Sequence, residues 1–329
     1  MALCVIMAVG DRLMFNRSVR KWSELPAAKR QEEAKPEYSW FAALVCGLVF
    51  FVLLRMLSAN PTGVMMGPLA VRWYGLMFLL GFTAGYFIMV KILKHEGYPE
   101  EWVSTLLIWV AAGTIIGARL GHCFFYEWDY YSAHPEKIIA FWEGGLASHG
   151  GTIGVIIGVF CFSHYTSKKS ALWTFDRLVV PVALVACLIR LGNLFNSEIF
   201  GCATTLPWGF MYPLSREWQV LYAPDQACHP TQLYEAGAYL LLFILLNYMY
   251  WRRNCQARPG LMLGTFFIGC FGSRMLIEMV KNPQEAFEAN MLLNMGQLLS
   301  VPFVLAGIYL VWRSLKRPAQ ELTFKNTQS

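Results

Sequence analysis

The fold of this chain follows from the apolar run Leu178-Val-Val-Pro-Val-Ala-Leu-Val-Ala-Cys-Leu-Ile189 and the polar segment directly after it, Arg190-Leu-Gly-Asn-Leu-Phe-Asn-Ser-Glu-Ile-Phe-Gly201. The run carries no charge and predicts a membrane-spanning helix over 178–195. The segment places an arginine, two asparagines and a glutamate at or near the end of that helix. A charge inside a bilayer costs several kcal/mol, so the arginine is a functional candidate. Its guanidinium has five donors in a rigid fork suited to phosphate, which raises the question of a lipid phosphate.

The same kind of apolar run recurs along the whole chain. Of its 329 residues 56% are apolar and 15% are charged, whereas soluble domains have about 25% charged residues. We therefore predict an all-α, polytopic helical membrane protein with a seven-span core and one extra N-terminal span. The eight predicted spans are 40–57, 73–93, 103–125, 146–165, 178–195, 232–251, 261–279 and 293–312.

Basic residues set the predicted orientation. With residues 1–39 in the cytoplasm, every cytoplasmic segment contains lysine or arginine, and together they hold most of the 27 basic residues. Both termini are thus predicted to be cytoplasmic, and the net charge of +6 is explained without nucleic-acid binding. The predicted organisation is a basic, partly disordered arm at 1–38, an uncleaved anchor at 39–58, the seven-span domain at 59–313 with an external segment at 196–230, and a tail at 314–329.

The nine cysteines show no CxxC spacing, which disfavours a metal site or a redox motif. Cys202 and Cys228 differ from the others because both fall in the predicted external segment. An oxidising compartment would allow them to pair. A disulfide and two free thiols are equally compatible with the sequence.

Charged side chains are predicted to gather at the outer membrane face. Arg190, Asn193 and Asn196 are three residues apart, and each step of three turns about 60° around a helix, so they share one arc. A single arginine at such a depth is usually snorkelling to the interface. Three arginines at similar depth with glutamates nearby favour a functional site: Arg119, Arg190 and Arg274, with Glu198, Glu235 and Glu278. Arg274 and Glu278 are spaced i, i+4, so a scaffolding ion pair is the alternative there.

Two further motifs lie on the same predicted face. His149 lies in the glycine-rich segment 144–151 at the start of the fourth span, and an imidazole that titrates near neutrality suits a general base. The segment His229-Pro-Thr-Gln-Leu-Tyr-Glu235 opens the sixth span and puts Tyr234 and Glu235 just inside it. Tyr74 begins the second span, where an aromatic belt is the simpler interpretation.

Together these segments resemble the prolipoprotein diacylglyceryl transferase family. The resemblance runs from about 67 to 313 and rests on motifs in the family's order: 72–75, 117–121, 149–151, 190–201 and 229–235, then Arg274 with Glu278. It implies transfer of a diacylglyceryl group from phosphatidylglycerol to the lipobox cysteine of a preprolipoprotein, with release of glycerol phosphate. It also implies membrane lipids as surroundings, a bacterial inner membrane, a site towards the periplasm and no cofactor.

The resemblance also suggests roles for the residues. His149 would be the base that helps form the reactive thiolate, and Arg190 and Arg274 would stabilise the leaving phosphate. The remaining members of the predicted site would position or bind substrate: Tyr74, Arg119, Asn193, Asn196, Glu198, Gly201, Tyr234, Glu235 and Glu278. A transporter or lipid flippase is the alternative class, but it would place charges at both faces or at mid-bilayer. A structural scaffold would leave the three arginines unexplained.

Overall fold

A computed structural model describes residues 63–66, 69–140, 144–145, 147–282 and 294–320. The predicted arm at 1–38 and anchor at 39–58 lie outside these residues, as does the tail beyond 320. The described elements are β1 (Gly63–Met66), β2 (Leu69–Arg72), α1 (Trp73–His95), α2 (Glu101–Phe125), α3 (Trp128–Ala133), α4 (Ser148–Cys161), α5 (Ala171–Phe195), α6 (Arg216–Leu221), α7 (Thr231–Arg253), α8 (Leu261–Ile277) and α9 (Met295–Lys316). Short 3₁₀ turns lie at Pro135–Lys137, Cys255–Ala257 and Glu278–Val280.

Long apolar helices dominate the described part of the chain. Six segments are long and apolar enough to cross a membrane: α1, α2, α5, α7, α8 with its 3₁₀ turn, and α9. The predicted class of polytopic helical membrane protein is confirmed. The sequence showed no strand pattern, yet β1 and β2 pair as a small antiparallel hairpin with Gly63 opposite Arg72.

The predicted fourth span, 146–165, has a less regular form. Its α-helical part, α4, has 14 residues, and a π-helix continues it over Phe162–Ser167. Lys168 ends the segment in a left-handed conformation with φ 54°. The α-helical part is therefore shorter than the roughly 20 residues that a bilayer requires, and the π turn supplies the rest.

The fifth helix starts earlier than the hydropathy pattern predicts. We predicted a start at 178, but α5 begins at Ala171 and includes Asp176 and Arg177. Both charged side chains are buried, and Arg177 forms an ion pair with Glu96. A charge that has a buried partner does not have to end a helix, so the polarity of 176–177 misplaced the predicted boundary.

The chain divides into two compact units. The first contains the described residues up to Leu79 together with Ile189–Leu233. Its core is a buried cluster of Phe200, Tyr212, Trp218 and Cys228, all within residues 196–230. Paired backbone bridges join Cys228 to Ala203 and to Phe210.

The second unit contains Leu80–Leu188 and the described residues from Tyr234 onwards. Its helices α2 and α4 approach so closely that a Cβ on Gly154 would overlap the Gly113 carbonyl, and one on Gly117 the Gly150 carbonyl. Small residues four apart allow this contact, as is usual between helices in membranes. The contact fixes the first turn of α4, where His149 lies.

Candidate functional site

The polar segment after α5 forms a tight turn. The backbone amides of Asn196, Ser197 and Glu198 donate to the carbonyls of Gly192, Leu194 and Asn193 at 3.0–3.1 Å. These bonds satisfy carbonyls that the helix end would leave without partners. Ser197 and Ile199 adopt left-handed conformations, with φ of 56° and 59°. A reversal this sharp brings the side chains before and after the helix end together.

The side chains of this turn form a polar group in the first unit. Asn196 Nδ2 donates to Glu198 Oε1 at 3.1 Å, and Asn193 Nδ2 donates to Glu198 Oε2 at 3.4 Å. The Arg190 guanidinium donates to Asn193 Oδ1 at a long 3.5 Å. Asn193 is buried and Glu198 is exposed, so a buried amide supports an exposed carboxylate.

The start of α7 holds this turn from the other side. Gln232 Nε2 donates to the Glu198 carbonyl at 2.6 Å, and Thr231 Oγ1 donates to the Ile199 carbonyl at 2.7 Å. Both side chains are fully buried. The motif at 229–235 predicts roles for Tyr234 and Glu235 but does not identify Thr231 and Gln232 as supports of the turn. The only available signal was their position in that motif.

Two other predicted residues join the group in the first unit. Gly201 donates its amide to the His229 carbonyl at 2.8 Å. Gly192 faces Tyr74, since a Cβ at Gly192 would lie 3.0 Å from a ring carbon of Tyr74. Tyr74 also interacts electrostatically with Glu198 and Arg190. The ring therefore has a specific place in the group, beyond that of a general aromatic belt.

The second unit contains a separate group of charges. Lys281 Nζ lies 2.9 Å from Glu235 Oε1 and 3.2 Å from Glu278 Oε2. Arg274 Nε lies 3.9 Å from the same Glu278 oxygen. Glu235 and Glu278 are both buried. Lys281 is not among the residues that the sequence predicts for the site, because nothing in the local sequence indicates these contacts.

Helix α9 begins against this group. Asn294 caps the helix in a reciprocal pair with Gln297 and donates its side-chain amide to the Glu278 carbonyl at 3.2 Å. A Cβ on Gly296 would overlap the Glu278 carboxylate. A carboxylate at the N-terminus of a helix is stabilised by the helix dipole. Glu278 is thus fixed from two directions.

Arg119 makes its contacts with backbone carbonyls. Its guanidinium donates to Lys137, Ile138, Gly144 and Gly145 at 2.5–3.3 Å. The side chain is buried. These bonds tie the segment before α4 to α2.

His149 and Tyr234 occupy more open positions. His149 is exposed in the first turn of α4, and its imidazole has no hydrogen-bond partner within the described part of the chain. Tyr234 is half-buried in the first turn of α7, beside Glu235 in sequence.

Comparison with known proteins gives the family. The family model described as prolipoprotein diacylglyceryl transferase matches residues 61–313. The chain belongs to this family. The predicted family and the predicted enzyme class, a transferase, are confirmed.

Curated relatives of the same family align with this chain over most of their own length. A phosphatidylglycerol–prolipoprotein diacylglyceryl transferase of Porphyromonas gingivalis is 52% identical over 255 residues, which cover 75% of this chain and 90% of that protein. Proteins of the same name from Chloroherpeton thalassium and Tolumonas auensis are 43% and 44% identical, and each match covers 80% of this chain. These matches cover 96% and 98% of the two relatives.

The structure of this transferase brings the predicted residues together in two sets. In the first unit Tyr74, Arg190, Asn193, Asn196, Glu198 and Gly201 share one turn and its surroundings. In the second unit Glu235, Arg274 and Glu278 share one charge group, which Lys281 completes. Arg119 and His149 flank the segment that leads into α4. Among the described residues no cluster of three or more histidine, cysteine or acidic side chains is arranged to hold a metal ion.

The two cysteines of segment 196–230, Cys202 and Cys228, lie on paired backbone. Cys228 pairs with Ala203, and the His229 amide donates to the Cys202 carbonyl at 3.0 Å. Burial raises the pKa of the Cys228 thiol, and the neighbouring Cys202 raises it further. Both are thiols in this structure. Whether they pair under oxidising conditions stays a prediction.

Proposed function

We propose that this chain transfers the diacylglyceryl group of phosphatidylglycerol to the lipobox cysteine of a preprolipoprotein, the first step of lipoprotein maturation. The sulfur forms a thioether bond to a glycerol carbon of the lipid, the bond from that carbon to the phosphate oxygen breaks, and glycerol phosphate leaves. The observation that carries the proposal is the turn after α5. The family segment 190–201 folds so that Arg190, Asn193, Asn196 and Glu198 meet at the end of an apolar helix.

His149 is the proposed general base. A cysteine thiol has a pKa of about 8.5 and reacts as the thiolate, so a base within reach raises the reactive fraction. The imidazole is exposed and has an acceptor nitrogen when neutral. It takes the thiol proton as the sulfur attacks.

Arg190 and Arg274 are the proposed phosphate ligands. Negative charge grows on the phosphate as the carbon–oxygen bond breaks, and guanidinium donors stabilise that charge. Arg190 donates to Asn193 Oδ1 at 3.5 Å, and Arg274 Nε lies 3.9 Å from a Glu278 oxygen. The long contact of Arg274 leaves donor capacity for a ligand.

The other predicted residues support these three. Asn193, Asn196 and Glu198 position the glycerol headgroup or Arg190, while the remaining residues bind substrate: Tyr74, Gly201, Tyr234, Glu235 and Glu278. Arg119, predicted to position or bind substrate, also orders the segment that leads to His149, since its donors contact four carbonyls there.

The setting follows from charge and hydropathy. We propose the bacterial inner membrane, with both termini in the cytoplasm and the site towards the periplasm, because the basic residues gather in alternate loops. The partners are phosphatidylglycerol and preprolipoprotein signal peptides within membrane lipid, with no role for nucleic acid and no cofactor.

A transfer assay on the purified full chain tests this function. Phosphatidylglycerol labelled in its acyl chains is incubated with a lipobox peptide, and a peptide with serine in place of the cysteine is the control. We expect label on the cysteine peptide alone, with release of glycerol phosphate. Arg190→Lys keeps the charge but loses the fork, so transfer should fall by about 10²–10³ while the protein accumulates normally. Transfer by the lysine variant at the wild-type rate would refute the role of Arg190, and label on the serine peptide would refute thioether formation.

A further inference from the structure

Lys281 is the most closely paired cation of the charge group in the second unit. Its side chain is 6% exposed, and its ammonium lies within hydrogen-bond distance of both Glu235 and Glu278. An isolated ammonium or carboxylate in such a place would be costly, whereas a set with equal numbers of each is tolerated. Arg274 and Lys281 balance Glu235 and Glu278.

Arg274 has a different position in the same group. Its side chain is 37% exposed, and its Nε, 3.9 Å from Glu278, makes no hydrogen bond to the described atoms. Glu278 cannot easily move towards it, because the start of α9 and the Lys281 ammonium hold the carboxylate and its backbone. Glu278 therefore interacts more strongly with Lys281 than with Arg274.

We propose that Lys281 is a positioning residue: by holding Glu278, it keeps the Arg274 guanidinium available for the phosphate of phosphatidylglycerol. The proposal rests on the function given above, in which Arg274 binds that phosphate. Without Lys281, Glu278 would be left with Arg274 as its nearest cation. The two would close to a tight i, i+4 pair, and the lipid would have to compete with a buried carboxylate for the same donors.

The test removes Lys281 in two matched backgrounds. Lys281→Met is introduced into Glu278→Gln and into Glu235→Gln. Each double variant loses one charge of each sign, so both keep the group neutral. Binding of phosphatidylglycerol is measured on the full chain in detergent, without peptide, from the lipid concentration that gives half of the maximal thermal stabilisation.

The two backgrounds should respond differently. In Glu235→Gln, loss of Lys281 still frees Glu278 to take Arg274, and the half-saturating concentration should rise about tenfold, the effect of losing one hydrogen bond between charged groups. In Glu278→Gln, loss of Lys281 releases no carboxylate. The half-saturating concentration in this background should therefore be the same with and without Lys281→Met. Lys281→Arg in the wild-type background should bind as the wild type does.

A role in charge balance alone predicts the same change in both backgrounds, and that result would overturn the proposal. The absence of any change in the Glu235→Gln background would overturn it as well. Transfer by the wild-type chain is scored separately. A wild type that transfers normally, combined with equal responses in the two backgrounds, would refute the role of Lys281 and leave the proposed function standing.

Discussion

Two arginine–glutamate pairs in the second unit differ in how completely they are satisfied. Arg177 contacts Glu96 through Nε and through its terminal nitrogen at 2.9–3.1 Å, and Tyr250 donates to the same carboxylate at 2.6 Å. The Arg177 and Glu96 side chains are 1% and 5% exposed. Arg274 and Glu278 are 3.9 Å apart, and Arg274 is more than a third exposed.

The two arginines differ in how much of their hydrogen-bonding capacity is used within the protein. Arg177 also stacks on Trp173 and donates to its carbonyl, so its bonding capacity is used within the protein. Its neighbour Asp176 accepts from the Gly260 and Leu263 amides at one end of α8, while Arg274 lies near the other end of the same helix. Hydrogen bonds to Asp176 therefore fix one end of α8, whereas Arg274 near the other end has a donor, Nε, without a hydrogen-bond partner among the described atoms.

The largest effect should come from breaking the completed pair. Arg177→Met leaves the Glu96 carboxylate buried without its cation, which costs about 3–5 kcal/mol. We expect little folded protein, measured as the monodisperse fraction in detergent by size exclusion. The double variant Glu96→Gln/Arg177→Met removes both charges and should recover part of the monodisperse fraction. Normal yield and melting of Arg177→Met would mean that this pair is not structural.

His149→Ala should act on rate and leave the fold intact, because the imidazole is exposed and has no partner in the described part of the chain. Loss of a general base predicts a fall in transfer of about 10²–10⁴. Activity should partly return as the pH rises past the thiol pKa of about 8.5, where the substrate ionises unaided. The measurement is a rate–pH profile of variant and wild type. A variant equally inactive at every pH would point to a positioning role instead.

Arg274→Lys should separate the two pairs most directly. Lysine keeps the charge but presents no fork, so transfer should fall by about 10²–10³. Because the Arg274–Glu278 contact is long, the melting temperature should change little. Both quantities are measured on one preparation, with Arg177→Lys as the matched control. A large drop in melting with unchanged transfer per folded molecule would reverse the assignment of the two arginines.

The smallest effect is expected from removing residues 1–58. Both arginine pairs and every predicted site residue lie beyond 67, so transfer and melting should match those of the full chain. The basic residues of the remaining loops should keep the orientation. A single cysteine placed near Lys168 reports this through its accessibility to a membrane-impermeant label. Labelling from outside, or an inactive protein in the correct orientation, would show that 1–58 contributes.

The sequence by itself determined the properties that depend on neighbouring residues. Hydropathy predicted the membrane class, because each span has to be apolar over its own length. The grouping of the polar side chains at 190–201 was also predictable, because Arg190, Asn193 and Asn196 fall on one arc of the helix and Glu198 follows within a few residues. The order of the motifs was sufficient to predict the family.

Only the tertiary structure decided which charges are already paired. Arg177 lies 81 residues from Glu96, and Lys281 lies 46 residues from Glu235. Neither partner is visible in a local pattern, so the sequence predicts neither contact. Arg119 appeared equivalent to Arg190 and Arg274 until its contacts with distant carbonyls were known. The energy of a buried charge depends on what surrounds it in space, and the folded chain alone fixes those surroundings.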